Sequence, residues 1–164
     1  MIKSFPHFGI YVADLSLATR FYVEGLGFEA QEGGSTDAPG PLLEMPGATV
    51  RTQFVRHPEG LRMELWSVVD RPPAGAADPR PANLPGRAHL CFVVDDLEGV
   101  ADRIAAFGGT RLDVTRSDLG YGDLMFCADP DGTRIELVQI KSGWPGYTEE
   151  RRPDPTGPWP AKEE

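Results

Sequence analysis

The sequence lacks a run of about 18 consecutive apolar residues, the length that a membrane-spanning helix requires. Its first residues enter a strand-like stretch without the apolar segment and small-residue cleavage site of a secretory signal, so we expect a cytoplasmic protein. Basic residues are scarce, because 16 lysines and arginines against 25 aspartates and glutamates give a net charge of −9. That balance argues against binding to nucleic acid or to anionic membranes, which relies on basic surface.

Cysteine and histidine are scarce as well. The two cysteines, Cys91 and Cys127, lie in separate apolar stretches and form no CxxC motif, so we expect buried free thiols. Only three histidines occur, at positions 7, 57 and 89. A site that depends on imidazole must draw on these three residues.

The chain contains an internal repeat, and a repeat decides the architecture. Residues 7–15 read HFGIYVADL and residues 89–97 read HLCFVVDDL, so that His, Val, Asp and Leu coincide in register. Residues 60–65 read GLRMEL and residues 132–137 read GTRIEL, so that Gly, Arg, Glu and Leu coincide. The interval from histidine to glutamate is longer in the first half, and a turn-rich insertion at 33–46 accounts for the difference.

Each half predicts the same series of elements. A strand is followed by an aspartate N-cap, Asp14 or Asp96, then by apolar residues at helical spacing and by glycines that end the helix. Three strands come next, and a four-residue turn with Pro second and Gly last joins the final two. The strands after the helix are expected at 28–32, 49–56, 62–69, 110–115, 124–128 and 134–140. The pattern indicates an α+β fold made of two βαβββ modules.

Four segments are predicted: a first module at 1–70, a proline-rich connector at 71–87, a second module at 88–141 and an irregular tail at 142–164. The connector holds five prolines, so it cannot form a regular helix or a central strand.

The repeat also predicts a site. Packing of two halves about a pseudo-twofold axis carries His7 onto His89 and Glu64 onto Glu136, so that two imidazoles and two carboxylates converge on one point beside the axis. Strand alternation places both glutamates on the face away from the helix. This donor set suits a divalent first-row metal. Taken singly, each residue has an ordinary structural or solvated role, and the repetition in register favours the metal site.

Other polar and aromatic residues near these positions have two interpretations each. Arg62 and Arg134 share the glutamate face and could bind substrate anions or pair with carboxylates. Trp66, Tyr11 and Phe54 could line an apolar substrate pocket or belong to the core. His57 aligns with an aspartate in the repeat turn and is interpreted as a surface residue.

At these residues the chain resembles the vicinal oxygen chelate superfamily, also called the glyoxalase/bleomycin-resistance/extradiol-dioxygenase group. The resemblance covers about residues 4–140 and is most specific in HFGIYVADLSLATRFYVEGLGFE and DPDGTRIELVQ. It implies paired βαβββ modules that form a cupped mixed sheet around one metal, with the helices on the outer face. The pattern His, Glu, His, Glu is similar to the metal ligands of bacterial glyoxalase I, and it falls here on His7, Glu64, His89 and Glu136.

By this resemblance the cofactor is one divalent ion, with Ni, Zn or Co favoured and Fe or Mn as alternatives, and the partner is a small-molecule substrate. The implied activity is that of a lyase or isomerase of the lactoylglutathione lyase kind, in which the metal stabilises an enediolate formed from a substrate with two vicinal oxygens. Glu136 is the first candidate for the general base, and Glu64 is its near-symmetric rival.

Three alternatives stay open at this point. The protein could be a binding or resistance module that sequesters a small molecule, an epimerase, or an Fe(II) dioxygenase of the same superfamily. The identity of the substrate is open, as is the choice between a site built within one chain and a site shared by a homodimer.

Overall fold

A computed structural model of the protein describes residues 2–31, 44–45, 47–74, 86 and 88–142. Each half of the chain forms one βαβββ unit, as the repeat predicts. The first unit consists of β1 (Phe8–Tyr11), α1 (Leu15–Arg20) continued by a π-helical turn (Phe21–Gly25), β2 (Glu29–Ala30), β3 (Val50–Arg56) and β4 (Arg62–Val68). The second consists of β5 (His89–Val93), α2 (Leu97–Ala106), β6 (Thr110–Asp118), β7 (Gly122–Ala128) and β8 (Arg134–Ile140).

The two units form two four-stranded mixed sheets with the same topology. Their strand orders are β1-β4-β3-β2 and β5-β8-β7-β6. The first strand of each unit pairs in parallel with the last strand, and the other pairs are antiparallel. The predicted α+β fold of two βαβββ repeats is therefore confirmed.

Helix caps and turns form where the sequence predicts them. The Asp14 carboxylate accepts the N–H groups of Ser16 and Leu17 at 2.9 and 3.0 Å, and Asp96 accepts the N–H of Gly99 at 3.0 Å. These bonds satisfy donors that have no partner in the first turn of a helix. The turns at 57–60 and 129–132 end on Gly60 and Gly132, and both glycines have a positive φ. A residue without a Cβ adopts this backbone conformation at little cost.

The helices and the inward faces of both sheets share one hydrophobic core. Alternation along β4 directs Met63 and Leu65 into this core, and alternation along β8 does the same for Ile135 and Leu137. The core also receives residues of α1, the π-helical turn and α2, including Ala18, Phe21, Leu97, Ala101 and Ile104. The opposite face of each sheet points away from the helices and from this core, and we call it the outward face. The outward faces carry the histidines and glutamates of the repeat.

A buried hydrogen bond joins the two halves. The Tyr22 hydroxyl donates to Oδ2 of Asp129 at 2.9 Å, and both residues are buried. Oδ1 of Asp129 accepts the N–H groups of Asp131 and Thr133 at 3.0 and 2.7 Å. Burial raises the pKa of Asp129, while the donated hydrogen bonds from Thr133 and Tyr22 oppose that rise. The turn of the second half is thus anchored to the helical segment of the first half.

Parts of several predicted segments lie outside the described residues, namely residue 32 of the strand predicted at 28–32, 33–43 and 46 of the insertion, 75–85 and 87 of the connector, and 143–164 of the tail. The proposed segment boundaries stay predictions. Within the residues that the structure describes, no helix is long and apolar enough to cross a membrane.

Substitution of Tyr22 by Phe tests the connection between the halves. We expect the free energy of unfolding to fall by about 1.5–3 kcal/mol at neutral pH, because the buried Asp129 carboxylate loses one hydrogen bond. Equilibrium unfolding in urea measures the difference. The matched control is Tyr11→Phe, which removes a hydroxyl from an exposed side chain and should change stability by less than about 0.5 kcal/mol.

The same variant has an expected pH dependence. Because the pKa of Asp129 in the folded protein is raised, its ionised form costs stability at neutral pH, and this cost disappears as the pH falls through that pKa. The Tyr22 hydroxyl reduces the cost by stabilising the ionised form. The stability difference between the parent and Tyr22→Phe should therefore shrink on acidification, and a difference that grows would contradict this assignment.

Candidate metal centre

The first histidine–glutamate pair lies on the outward face of the first sheet. His7 precedes β1, and Gly9, two residues further on, aligns with Glu64 in the parallel pairing of β1 and β4. Residues two apart in a strand share a face, so His7 and Glu64 project from adjacent strands to the same side. Nε2 of His7 lies 3.2 Å from Oε2 of Glu64.

The second sheet repeats this arrangement. Cys91 aligns with Glu136 as Gly9 aligns with Glu64, and Nε2 of His89 lies 3.2 Å from Oε2 of Glu136. The two pairs therefore match in strand register, in the atoms that meet and in the distance between them. The sequence predicted each pair, and the structure brings each pair together.

A phenylalanine packs beside each pair. Phe54 pairs with Glu64 across β3 and β4, and its ring meets the His7 imidazole edge-on at 5.4 Å. Phe126 pairs with Glu136 across β7 and β8, and its ring meets His89 edge-on at 5.5 Å. Sequence reasoning missed Phe126 and gave Phe54 only a general apolar role. The signal was present, since each phenylalanine stands the same distance before its glutamate.

The carboxylates lie deeper than the imidazoles. The exposed fraction of the side chain is 10% for Glu64 and 18% for Glu136, against 35% for His7 and 49% for His89. Each pair thus has a recessed oxygen donor and a more open nitrogen donor on the outer face of its sheet.

The donor atoms fit a divalent metal. Bonds of about 2.0–2.1 Å to nitrogen and 2.0–2.2 Å to oxygen place neighbouring donors of a tetrahedral or octahedral shell about 2.9–3.4 Å apart. The separation of 3.2 Å in each pair lies inside this interval. Each pair therefore has the chemistry and the spacing of two adjacent ligands.

The expected convergence of all four residues does not occur within one chain. In the part of the chain that the structure describes, no three His, Cys, Asp or Glu side chains come close enough to hold an ion. The physical reason is the shared core, which takes the helix-facing sides of both sheets and leaves the two pairs on separate outer faces. One chain therefore holds two separate histidine–glutamate pairs.

The predicted substrate residues also lie on the outward faces. The Arg62 guanidinium stacks on Phe54 at 4.0 Å from the ring centroid, and its Nε donates to Oε1 of Gln31 at 2.8 Å. Arg134 lies over Phe126 at 5.8 Å. Gln31 had no signal in the sequence, because it follows a strand of only two residues.

Tyr11 and Trp66 form an aromatic pair on the outward face that carries His7 and Glu64. They are aligned across β1 and β4, and their ring centroids lie 6.1 Å apart. Tyr11 is 65% exposed, so the alternative of core packing is wrong for this residue.

A cleft of about 690 Å³ opens beside His7 and is lined by residues that include Phe5, Gln31 and Arg62.

Two sequence expectations for reactive residues need correction. Cys127 is buried as expected, but Cys91 is exposed because it lies on the outward face of the edge strand β5. Partial burial of the thiol, with the adjacent Glu136 carboxylate as second cause, raises the pKa of Cys91 to about 12. The thiol is therefore protonated and donates to Glu136.

His57 is not a freely exposed turn residue. Its ring packs edge-on against Phe28 at 5.0 Å, its Nδ1 accepts the N–H of Glu59 at 3.2 Å, and burial lowers its pKa. It lines a separate cleft of about 410 Å³ between the halves, together with Phe92 and Arg103.

Known protein structures share this fold at low sequence identity. A glyoxalase family protein from Bacillus cereus is 20% identical, with a TM-score of 0.73, and the match covers 87% of this chain and 97% of that chain. A trypanothione-dependent glyoxalase I from Leishmania major is 18% identical, with a TM-score of 0.59 and coverage of 84% and 87%. An antibiotic-binding protein from Streptomyces sp. CB03234 is 23% identical, with a TM-score of 0.53 and coverage of 85% and 98%. These likenesses concern the fold.

No curated protein sequence matches the chain significantly. The model of the Glyoxalase/Bleomycin resistance protein/Dioxygenase superfamily matches residues 4–137, which is most of the chain. Members of this superfamily include enzymes and small-molecule binding proteins. On the strength of that match and of the two βαβββ units, the chain belongs to the glyoxalase/bleomycin resistance protein/dioxygenase superfamily.

Proposed function

We propose that the protein is a divalent-metal-dependent lyase or isomerase of the glyoxalase I type, acting on a small substrate with two vicinal oxygens. The observation that carries the proposal is the duplicated pair of His Nε2 and Glu Oε2 atoms, at matched register and at 3.2 Å in both halves. A chance arrangement has no reason to repeat the residue types, the strand positions and the donor distance together.

The complete site lies between two copies of the chain. One copy offers two ligands on each of two outward faces, and a twofold dimer brings the first module of one copy against the second module of the other. His7 and Glu64 of one copy then meet His89 and Glu136 of the second. By symmetry the dimer holds two such sites, so the metal content is one ion per chain.

The donor set of two imidazoles and two carboxylates suits nickel, zinc or cobalt, with iron and manganese as alternatives. A divalent ion held there supplies Lewis acidity to the two vicinal oxygens of the substrate. A phenylalanine packs edge-on against each imidazole, at 5.4 Å for His7 and 5.5 Å for His89, and helps to hold the orientation of the ring.

One of the two carboxylates moves the proton. Glu136 is the better candidate because its side chain is more exposed than that of Glu64. Its carboxylate takes the proton from the carbon beside the substrate carbonyl and returns it to the adjacent carbon.

Metal content tests the proposal. Protein purified without a histidine tag and incubated with Ni(II) or Zn(II) should hold close to one ion per chain by elemental analysis. His89→Ala should reduce the metal content at least tenfold, because one of four donors is lost. The matched control is His57→Ala, which removes the third imidazole and should leave the metal content unchanged. A parent protein that binds no added metal would refute the four-ligand site.

Mixing two inactive variants tests where the site is built. His7→Ala and His89→Ala should each bind little metal as homodimers, because both of their sites lack one histidine. In a mixed dimer one site loses both histidines and the other recovers all four ligands. After unfolding and refolding of an equal mixture, about a quarter of the parent metal content and activity should return, since half of the dimers are mixed. No recovery would indicate sites within single chains.

A second candidate function is binding without catalysis. The exposed Tyr11 beside Trp66 gives the open face an aromatic surface that could hold a planar molecule by stacking. The metal measurement separates the two functions, because a sequestering module of this kind does not need the ion. Retention of iron, with oxygen consumed on addition of substrate, would favour a dioxygenase instead.

A further inference from the structure

We propose that the substrate carries an anionic group on one side of its two vicinal oxygens and an aromatic ring on the other. This inference rests on the proposed metal-dependent function and assigns a substrate class to the same site. Its basis is the order of residues along β4. Arg62, Glu64 and Trp66 are successive residues on one face, with neighbouring Cα atoms about 7 Å apart, so the ligand carboxylate stands between a cation and an indole.

The cationic end of this row is the Arg62 guanidinium, which is held in place by two neighbours. Gln31 fixes the Nε of Arg62, and the ring of Phe54 supports the plane of its guanidinium. No aspartate or glutamate in the described part of the chain forms an ion pair with Arg62. The terminal nitrogens are therefore available for a carboxylate or a phosphate, which a guanidinium binds with two parallel hydrogen bonds.

The local charge matters because the whole protein is acidic. A net charge of −9 repels anions in general, so an anionic substrate needs a defined cationic contact near the metal ligands. The cleft of about 690 Å³ beside His7 is lined by Arg62 and supplies the space for such a group.

The aromatic end of the row Arg62, Glu64 and Trp66 belongs to the first half, and the second half has another residue at the position of Trp66. The Trp66 indole lies over Gly9 of β1, where an added Cβ would make an ordinary van der Waals contact of 3.7 Å with its Nε1. Val93 and Val138 stand at the positions of Tyr11 and Trp66 in the second half. Since the fold forms there with two valines, it does not require the aromatic pair, and the exposed Tyr11 and partly exposed Trp66 present a surface on which a ligand stacks.

The two arginines of the repeat are not equivalent. The Arg134 guanidinium lies 5.8 Å from the ring centroid of its phenylalanine, against 4.0 Å for Arg62, and among the described residues no side chain holds it as Gln31 holds Arg62. A preorganised guanidinium loses less conformational freedom on binding. The anion is therefore assigned to Arg62.

The test uses three probes that share one α-dicarbonyl group: 4,5-dioxo-5-phenylpentanoate, its methyl ester, and 4,5-dioxohexanoate, in which methyl replaces phenyl. Calorimetric titration of the full chain should give a Kd for the phenyl acid about tenfold lower than for the ester and about tenfold lower than for the methyl analogue. Arg62→Gln should bring the first ratio, the Kd of the ester over that of the phenyl acid, close to one. Trp66→Leu should bring the second ratio, the Kd of the methyl analogue over that of the phenyl acid, close to one. Each ratio compares two ligands on one preparation, so partial unfolding of a variant cancels.

Arg20→Gln is the charge-matched control, because Arg20 lies on the exposed surface of α1, and it should preserve both ratios. Parent protein that does not discriminate, or does not bind the probes, overturns the assignment. So does a first ratio that Arg134→Gln removes and Arg62→Gln does not.

Titrations with and without Ni(II) separate this inference from the proposed function. Normal metal binding with both ratios close to one removes the substrate assignment and leaves the metal site. Intact ratios in a protein that takes up no metal support the two contacts at Arg62 and Trp66 and remove the metal-dependent reaction.

Discussion

The structure depends on one constraint, which is that both halves bury their helix-facing sheet surfaces in a single core. A βαβββ unit of this size has one apolar sheet face and one helix stripe to cover, and sharing the core covers both at once. The outward faces are then left to polar chemistry. Because these faces lie on separate sides of the core, one chain holds two separate histidine–glutamate pairs, and the proposed metal site needs a second copy for this reason of packing.

The two halves share the residues of the proposed metal site and differ elsewhere. Histidine, glutamate and phenylalanine recur on both faces at the same register and with nearly equal distances. The differences have separate roles. Asp129 replaces a turn histidine and anchors the second half to Tyr22, while Trp66 and Tyr11 stand where the second half has valines. The hydrogen bond between Asp129 and Tyr22 joins the halves. The aromatic pair of Trp66 and Tyr11 gives one face a surface for the proposed ligand.

Much of the fold and the pairing of each histidine with its glutamate could be predicted from the sequence, because repetition and strand alternation are local patterns. His7 and Glu64 were found by comparison with His89 and Glu136, and the aspartate caps by their position. The separation of the two pairs could not be predicted, since it depends on how the halves pack. The bond from Tyr22 to Asp129 was hidden for a related reason, because an aspartate in a Pro-Gly turn has the pattern of a solvated residue.

The most direct test of the shared metal site is anomalous diffraction from crystals of the nickel-loaded protein. We expect one anomalous peak per chain, bound by His7 and Glu64 of one copy and by His89 and Glu136 of a second copy, with metal–nitrogen distances of about 2.0–2.1 Å. A peak whose ligands all come from one chain would contradict the site between copies. A peak away from these four residues would contradict the metal site itself.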